Sequence, residues 1–253
     1  MRLPMPAPTR YQLLSYDLDG TLVDTASEIA EAANRALASH GLARRPVSDI
    51  TMLIGAGTRE LMLKLLAQVF LESPDLAHRV QVDAVLASMD QHYADTTGTS
   101  AVPYNGCGDS LERLRAAGVR LVCTTNKESR HAHRVLEAVR LAQFFELVIG
   151  GDTLPEKKPH ASVLRHVAHI LSTPIGACAH LGDSAIDVQA ARNAGVAAWA
   201  VPYGYNAGVP IEAAQPDRIF QSLPEVADHV LAVNQRAANR PLTDVELLQR
   251  GSV

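Results

Sequence analysis

Cysteine is scarce in this chain. Its 253 residues include three, Cys107, Cys123 and Cys178, odd in number and far apart. That pattern excludes a disulfide framework and a zinc-binding set. No apolar run approaches the roughly 18 residues of a membrane span, so no membrane partner is expected. A surplus of positive charge is also missing. The formal net charge of −4 argues against nucleic acid or an anionic membrane surface as the main partner. Residues 1–10 carry three prolines and no apolar stretch, so they read as a loose tail and not a signal peptide, and the expected location is cytoplasmic. Lysine is rare as well. Four of the 23 basic residues are lysine (Lys64, Lys127, Lys157 and Lys158), and two of them stand side by side before Pro159. Apolar residues are present in ordinary amount, 47% against 20% charged, enough for a sizeable core. The length allows one large domain or a domain with an insertion.

The chain is organised around Tyr16-Asp17-Leu18-Asp19-Gly20-Thr21. The apolar run over 11–16 predicts a buried strand, and it ends in two aspartates one residue apart. Two carboxylates so close disfavour each other's ionisation, and each is costly to desolvate uncompensated. Two readings stand: a bound cation, for which hard oxygen ligands suit Mg²⁺, or an ordinary Asp-Gly turn. From Asp24 the rhythm is helical. Segments over 26–40, 58–70 and 75–93 carry apolar residues at helical spacing, Pro46 opens a further segment, and no strand alternation is found over 24–99. Beyond Val102 strands (119–124, 145–149, 178–181 and 197–201) alternate with helices (110–117, 128–139, 160–171 and 186–194). That alternation predicts a parallel sheet covered on both faces, with ligands beyond the carboxyl ends of the strands. The expected division is an α/β core of residues 1–23 and 100–253 with an all-helical cap of residues 24–99. Thr243 to Glu246 reads as a capping box before a short terminal helix.

Three more strand ends carry chemistry. Thr124-Thr125-Asn126-Lys127 offers a hydroxyl and backbone N–H groups, either a phosphate cradle or a plain helix N-cap. Lys158 before Pro159 lies at the mouth of a helix, where a cation is poorly placed for the dipole. That placement fits either a nearby negative charge or a solvated loop lysine. Gly182-Asp183-Ser184 with Asp187 again ends a buried strand in carboxylates, with Asp183 as the expected helix cap and Asp187 one turn along.

Together these residues resemble the haloacid dehalogenase-type phosphohydrolases and, within them, the phosphoglycolate phosphatases. The motifs are Asp17-Leu18-Asp19-Gly20-Thr21, Thr125, Lys158 before proline, and Gly182-Asp183-Ser184 with Asp187. Thr125-Asn126-Lys127, Gly150-Gly151-Asp152, Lys157-Lys158-Pro159-His160 and Tyr203-Gly204-Tyr205-Asn206 are similar to the narrower group. The resemblance implies a Rossmann-like, doubly wound parallel sheet with an inserted helical cap. It implies Asp17 as nucleophile, Asp19 as acid and base, and Thr125 with the N–H groups of Gly20 and Asn126 on the phosphate. Lys158 would balance the carboxylates. Mg²⁺ would be held by Asp17, Asp183 and the backbone carbonyl of Asp19, with Asp187 behind them. The expected partner is a small-molecule phosphate ester, and the expected assembly a monomer or small homo-oligomer.

Neighbouring chemistries separate by residue. The family's dehalogenases lack the second aspartate, which is present here as Asp19. Its phosphonate hydrolases need a cap lysine as Schiff base, and Lys64, the lone candidate, reads as a solvent-facing helix residue. Its mutases tend to have valine where Thr21 stands. A phosphatase for 2-phosphoglycolate is expected first. After it come one for a sugar phosphate or pyrophosphate, a phosphosugar mutase, and a non-catalytic phosphate binder. In the cap, Arg59 after Ile54-Gly55-Ala56-Gly57-Thr58 is the candidate for the substrate carboxylate, or else a surface arginine. His131, His133 and Trp199 read as structural.

Overall fold

The computed structural model describes residues 10–239. The capping box at 243–246 and the tail before Arg10 lie outside that range. The first strand, β1 (Leu13–Tyr16), is fully buried. It is followed by β2 (Val23–Asp24), then α1 (Ala26–Ser39), α2 (Val47–Thr51), α3 (Thr58–Glu72) and α4 (Val82–Thr96), and then β3 (Val102–Pro103). From there strand and helix alternate: α5 (Cys107–Ala116), β4 (Arg120–Thr124), α6 (Ser129–Ala138), β5 (Leu147–Ile149), α7 (Ala161–Ile170), β6 (Cys178–Gly182), α8 (Ala185–Ala194) and β7 (Ala197–Ala200). The described chain ends with β8 (Arg218–Ile219) and α9 (Leu223–Asn239).

Six strands pair in parallel in the order β5-β4-β1-β6-β7-β8. Alternating residues of β1 serve opposite faces. Leu14 and Tyr16 enter one apolar cluster, with Leu121, Trp199 and Val226, and Leu13 enters the other, with Val122, Val167 and Ala198. Both faces are covered, which is the doubly wound α/β class expected from the alternation. The strand order reverses beside β1, so the crevice beyond its carboxyl end is where such a sheet receives a ligand.

The helices α1 to α4 build a third apolar cluster of their own, from Ile29, Ala33, Leu37, Leu61, Leu65, Val85, Met89 and Tyr93. The alanine-rich face of α1 lets it lie close to α4, its main partner. The antiparallel pair β2–β3, with Val23 opposite Pro103, closes the base of this insertion.

Several elements differ from the sequence reading. The helix expected over 75–93 is split into a 3-10 turn (Pro74–His78) and α4. Leu76 and Val82 are six apart, which no single helical stripe accommodates. β2, β3 and β8 have two residues each and carry no period; only their partners define them. α9 did carry one, with Leu223, Val226, Ala227 and Val230 buried at helical spacing. Trp199 is core, beside Tyr11 and Phe220. The three cysteines are free and buried. Among the described residues no helix is long and apolar enough to cross a membrane.

Candidate active site

The carboxyl end of β1 is held by its neighbour: the Asp17 N–H donates to the Leu181 carbonyl at 2.9 Å. The chain then turns on two fully buried leucines, with Leu22 N–H donating to Leu18 O at 3.0 Å and Gly20 N–H to Val23 O at 2.9 Å. Gly20 has φ +81°, and a Cβ there would run into the Asp183 carboxylate and the Tyr205 ring. Glycine is required on both counts.

The carboxylates of Asp17, Asp183 and Asp187 converge. One oxygen from each lies within 4.8 Å of the others, and all three residues are buried. Lys158 Nζ stands between two of them, 2.6 Å from Asp187 Oδ1 and 3.0 Å from Asp17 Oδ1. The contact to Asp187 is a directed hydrogen bond, while Asp17 Oδ1 is buried with no directed donor. Asp183 accepts from Thr21 Oγ1 at 2.9 Å and from the Tyr205 N–H at 2.5 Å. Asp187 accepts from Ser184 Oγ at 2.5 Å, from Ser184 N–H at 3.2 Å, and from His180 Nε2 at 3.2 Å in the donor tautomer.

These surroundings set the charges. Burial pushes the Asp17 carboxyl up to about 6, against the pull of Lys158. Burial likewise pushes Asp183 well above the usual range, helped by Asp187 and Asp17. Burial acts on Asp187 too, but Lys158 and His180 reverse it and hold that carboxyl below the carboxylate range. The Lys158 ammonium is raised by Asp17 and Asp187 in spite of its burial.

Asp19 is turned elsewhere. Its carboxylate accepts from Lys127 Nζ at 2.8 Å (Oδ1) and 2.9 Å (Oδ2), and from Thr25 Oγ1 at 2.6 Å. It therefore stands outside the cluster of the other three. Lys127 is itself raised by Asp19 and Tyr93 against its burial. Thr125 and Asn126 are buried on the loop after β4. The helix after that loop begins at Ser129 with Glu128 at the cap, so neither residue caps it. The Asn126 side chain is a brace, donating to Gly55 O at 3.1 Å and Lys158 O at 3.0 Å.

Two further expectations are corrected. Asp183 does not cap α8; Ser184 does, in a capping box with Asp187, because the Asp183 carboxylate is already spent on Thr21 and Tyr205. The helix after Lys158 starts later than Pro159, since α7 begins at Ala161 with His160 as its cap, and of the two readings of Lys158 the nearby negative charge holds. Lys158 is a buried ion-pair partner, 3% exposed.

A cavity opens over these groups, lined by Asp17, Asp19, Thr125, Asn126, Lys127 and Asp183, with Gly55, Gly57 and Thr58 of the helical insertion opposite. The loop singled out in the insertion is therefore at the cavity. Arg59 is not among the lining residues and is exposed on the first turn of α3. Lys64 is exposed too. His131 is buried against Tyr93, while His133 on the same helix is exposed. The sequence reading assigned no role to Lys127, Thr25, His180 or Tyr205. Lys127 and Tyr205 lie in stretches already noted for their resemblance, and the scarcity of lysine was a further signal for Lys127; nothing local distinguishes Thr25 or His180.

Three buried carboxylates share one ammonium, Lys158, and two of the carboxyls are pushed upward, so negative charge is left over. The donor set is all hard oxygen, so the residues fit a divalent cation such as Mg²⁺.

The fold and this arrangement define a haloacid dehalogenase-like hydrolase. That family's model matches residues 14–201, and the chain belongs to the family. Its class there is that of the phosphoric monoester hydrolases. The chain is 34% identical over 220 residues to a phosphoglycolate phosphatase of Thiobacillus denitrificans, an alignment covering 87% of this chain and 96% of that protein. It is 40% identical over 189 residues to the plasmid phosphoglycolate phosphatase of Cupriavidus necator, with 75% and 80% covered. It is similar in structure to a predicted phosphoglycolate phosphatase from Haemophilus somnus, with a TM-score of 0.81, 27% identity, and 87% and 97% of the two chains covered.

Proposed function

We propose that this enzyme hydrolyses 2-phosphoglycolate to glycolate and phosphate, through a phosphorylated Asp17. The observation that supports the mechanism is Asp17 itself: it lines the cavity, converges with Asp183 and Asp187, and has Oδ1 3.0 Å from the Lys158 ammonium. The substrate rests on the resemblance to phosphoglycolate phosphatases over 80–96% of their length. We read residues 24–99 as the cap that closes over a core of residues 1–23 and 100–253.

Asp17 attacks phosphorus, the phosphorus–oxygen ester bond breaks, and the leaving alkoxide takes a proton from Asp19. Water then attacks the phosphorus of the aspartyl-phosphate and gives its proton to Asp19. Phosphate leaves and the Asp17 carboxylate is restored. Thr125 and the N–H groups of Gly20 and Asn126 hold the phosphoryl oxygens, where charge is dispersed. Asp17, Asp183 and the Asp19 carbonyl would hold Mg²⁺, which when bound neutralises phosphoryl charge. Asp187 orients Lys158, and Lys158 keeps Asp17 ionised beside its acidic neighbours.

Phosphate release tests this reading, with 2-phosphoglycolate beside sugar phosphates, nucleotides and pyrophosphate, each with Mg²⁺ and with EDTA. The expected result is a kcat/KM for phosphoglycolate at least about tenfold above the others, roughly 1.4 kcal/mol of discrimination, and loss of activity in EDTA. Broad selectivity would discard the substrate and keep the chemistry. Absence of release from every ester would discard both.

A further inference from the structure

Resting on that reading, we infer that Lys127 binds the second anionic group of the substrate, a carboxylate two bonds from the ester oxygen, and that Asp19 holds its place in the free protein. Among the described residues that line the cavity, Lys127 is the single cationic side chain. The other cations nearby are committed or remote. Lys158 is paired with Asp17 and Asp187, Lys157 reaches the Ala56 carbonyl at 2.8 Å from an exposed position, and Arg59 is exposed and not among the lining residues. An anionic group on the substrate beyond the phosphoryl group therefore has one cation to meet.

Lys127 is built for that task. Its side chain is 1% exposed, and an ammonium so buried costs several kcal/mol unless paired. Its backbone is fixed, with the carbonyl accepting from Gly151 N–H at 2.8 Å. The ammonium lies 4.9 Å from the centre of the Tyr93 ring. A second carboxylate waits beside it: Glu28 is buried, interacts electrostatically with Lys127, and has an oxygen, Oε1, without a hydrogen-bond partner. The cation thus keeps acidic company when Asp19 turns away.

The exchange follows from what Asp19 must do. With Oδ1 on Lys127 and Thr25, and Oδ2 on Lys127, both oxygens of the carboxylate are engaged by the cation. A substrate carboxylate that takes Lys127 releases Asp19 at the atom where its proton is needed. The two groups are adjacent by geometry, since an ammonium touching Asp19 lies beside whatever is bonded next to the ester oxygen. An uncharged ester leaves the Lys127–Asp19 pair closed. No covalent bond is made in this step; one ion pair replaces another.

The test compares 2-phosphoglycolate with its amide, which has the same shape and no carboxylate charge, in the presence of Mg²⁺. The wild-type enzyme should favour the acid by about tenfold or more in kcat/KM. Lys127→Gln should bring the two esters within about twofold, chiefly by weakening the acid, and Lys127→Arg should keep the preference. A preference that survives in Lys127→Gln, or an equal loss on both esters, overturns the inference, because a purely structural ion pair gives the latter. A wild-type enzyme that hydrolyses both esters equally also overturns it and leaves the phosphatase chemistry standing. Binding of acid and amide to the Asp17→Asn protein, with and without Lys127→Gln, decides the point without turnover. If the wild type hydrolyses neither ester, the proposed function falls, while tighter acid binding that depends on Lys127 still supports this residue's role. A Lys127→Gln protein that does not fold is bypassed by NMR. With ¹³C-labelled lysine the four lysines give four sets of signals, and the Lys127 signal, identified from the Lys127→Arg protein, should shift with the acid and not with the amide. An unmoved signal sinks the proposal.

Discussion

Asp17 and Asp187 share the Lys158 ammonium at 3.0 and 2.6 Å, yet their carboxyls move in opposite directions. Burial raises both, but Lys158 and then His180 outweigh it at Asp187, whereas at Asp17 the pull of Lys158 is opposed by the charges of Asp187 and Asp19. Asp187 is also hydrogen-bonded on both oxygens by Lys158, His180 and Ser184, while Asp17 Oδ1 has no directed donor. Asp17→Asn keeps the shape and removes the proposed nucleophile, so turnover should fall at least about a thousandfold, roughly 4 kcal/mol, while circular dichroism and the melting curve stay native. A variant at near-normal rate would remove Asp17 from its role. Lys158→Met leaves two buried carboxylates facing each other without a cation. It should destabilise the metal-free protein by about 3–5 kcal/mol in denaturant unfolding. A loss below about 1 kcal/mol would mean that the pair is screened by water and contributes little.

Between elements, the loop after β1 and the junction of α4 with α6 do most of the positioning. Gly20 sits where a side chain would displace Asp183, and its φ of +81° penalises any other residue. Gly20→Ala should cost about 1–3 kcal/mol of stability and weaken Mg²⁺ binding measurably by calorimetry. Unchanged Mg²⁺ affinity would mean that Asp183 moves without consequence. At the other junction, His131 of α6 faces Thr97 Oγ1 at 3.0 Å and packs on Tyr93 of α4, with ring centres 4.4 Å apart. Burial, and then Arg130, push its imidazolium down to about 4 from 6.5. A depressed folded value means that the unfolded chain binds the proton first. The contribution of the neutral ring is present above pH 6.5 and is lost as pH falls towards 4. The loss should be about 2 kcal/mol after solvent screening, and His131→Gln should flatten that part of the stability profile. An identical acid limb in the variant would assign the effect to other groups.

For the whole molecule, the proposed divalent cation would be coupled to the carboxylate cluster through stability. Asp17 is raised to about 6, so its contribution to the metal-free fold is present below the ordinary carboxylate value and is lost as pH rises through 6. Asp183 moves in the same direction. A cation offsets that charge only once the protons have left. The rise in Tm on adding Mg²⁺ should therefore be small at pH 5 and grow to pH 7.5. A Tm increment that stays flat across that range would place the cation away from these carboxylates.

The sequence by itself pointed to the class and to most of the residues that gather at the candidate site. Apolar runs ending in Asp17, Thr124 and Gly182 announced strands, helix periods filled the intervals, and carboxylates at strand ends have few uses besides a cation and a phosphate. Residue type and local period are written in the chain, so Asp17, Asp183, Lys158 and the helical insertion were legible before any coordinates. The tertiary structure decided the partnerships. Whether Asp183 caps a helix or meets Thr21 and Tyr205, that Lys158 stands between Asp17 and Asp187, and that Arg59 faces solvent while Lys127 holds Asp19 all depend on contacts between residues far apart in the chain. Lys127 and Asp19 are 108 positions apart, and Tyr205 and Asp183 are 22. No local propensity encodes such a pair; packing the sheet brings it together, and the buried charges then settle how each side chain is spent.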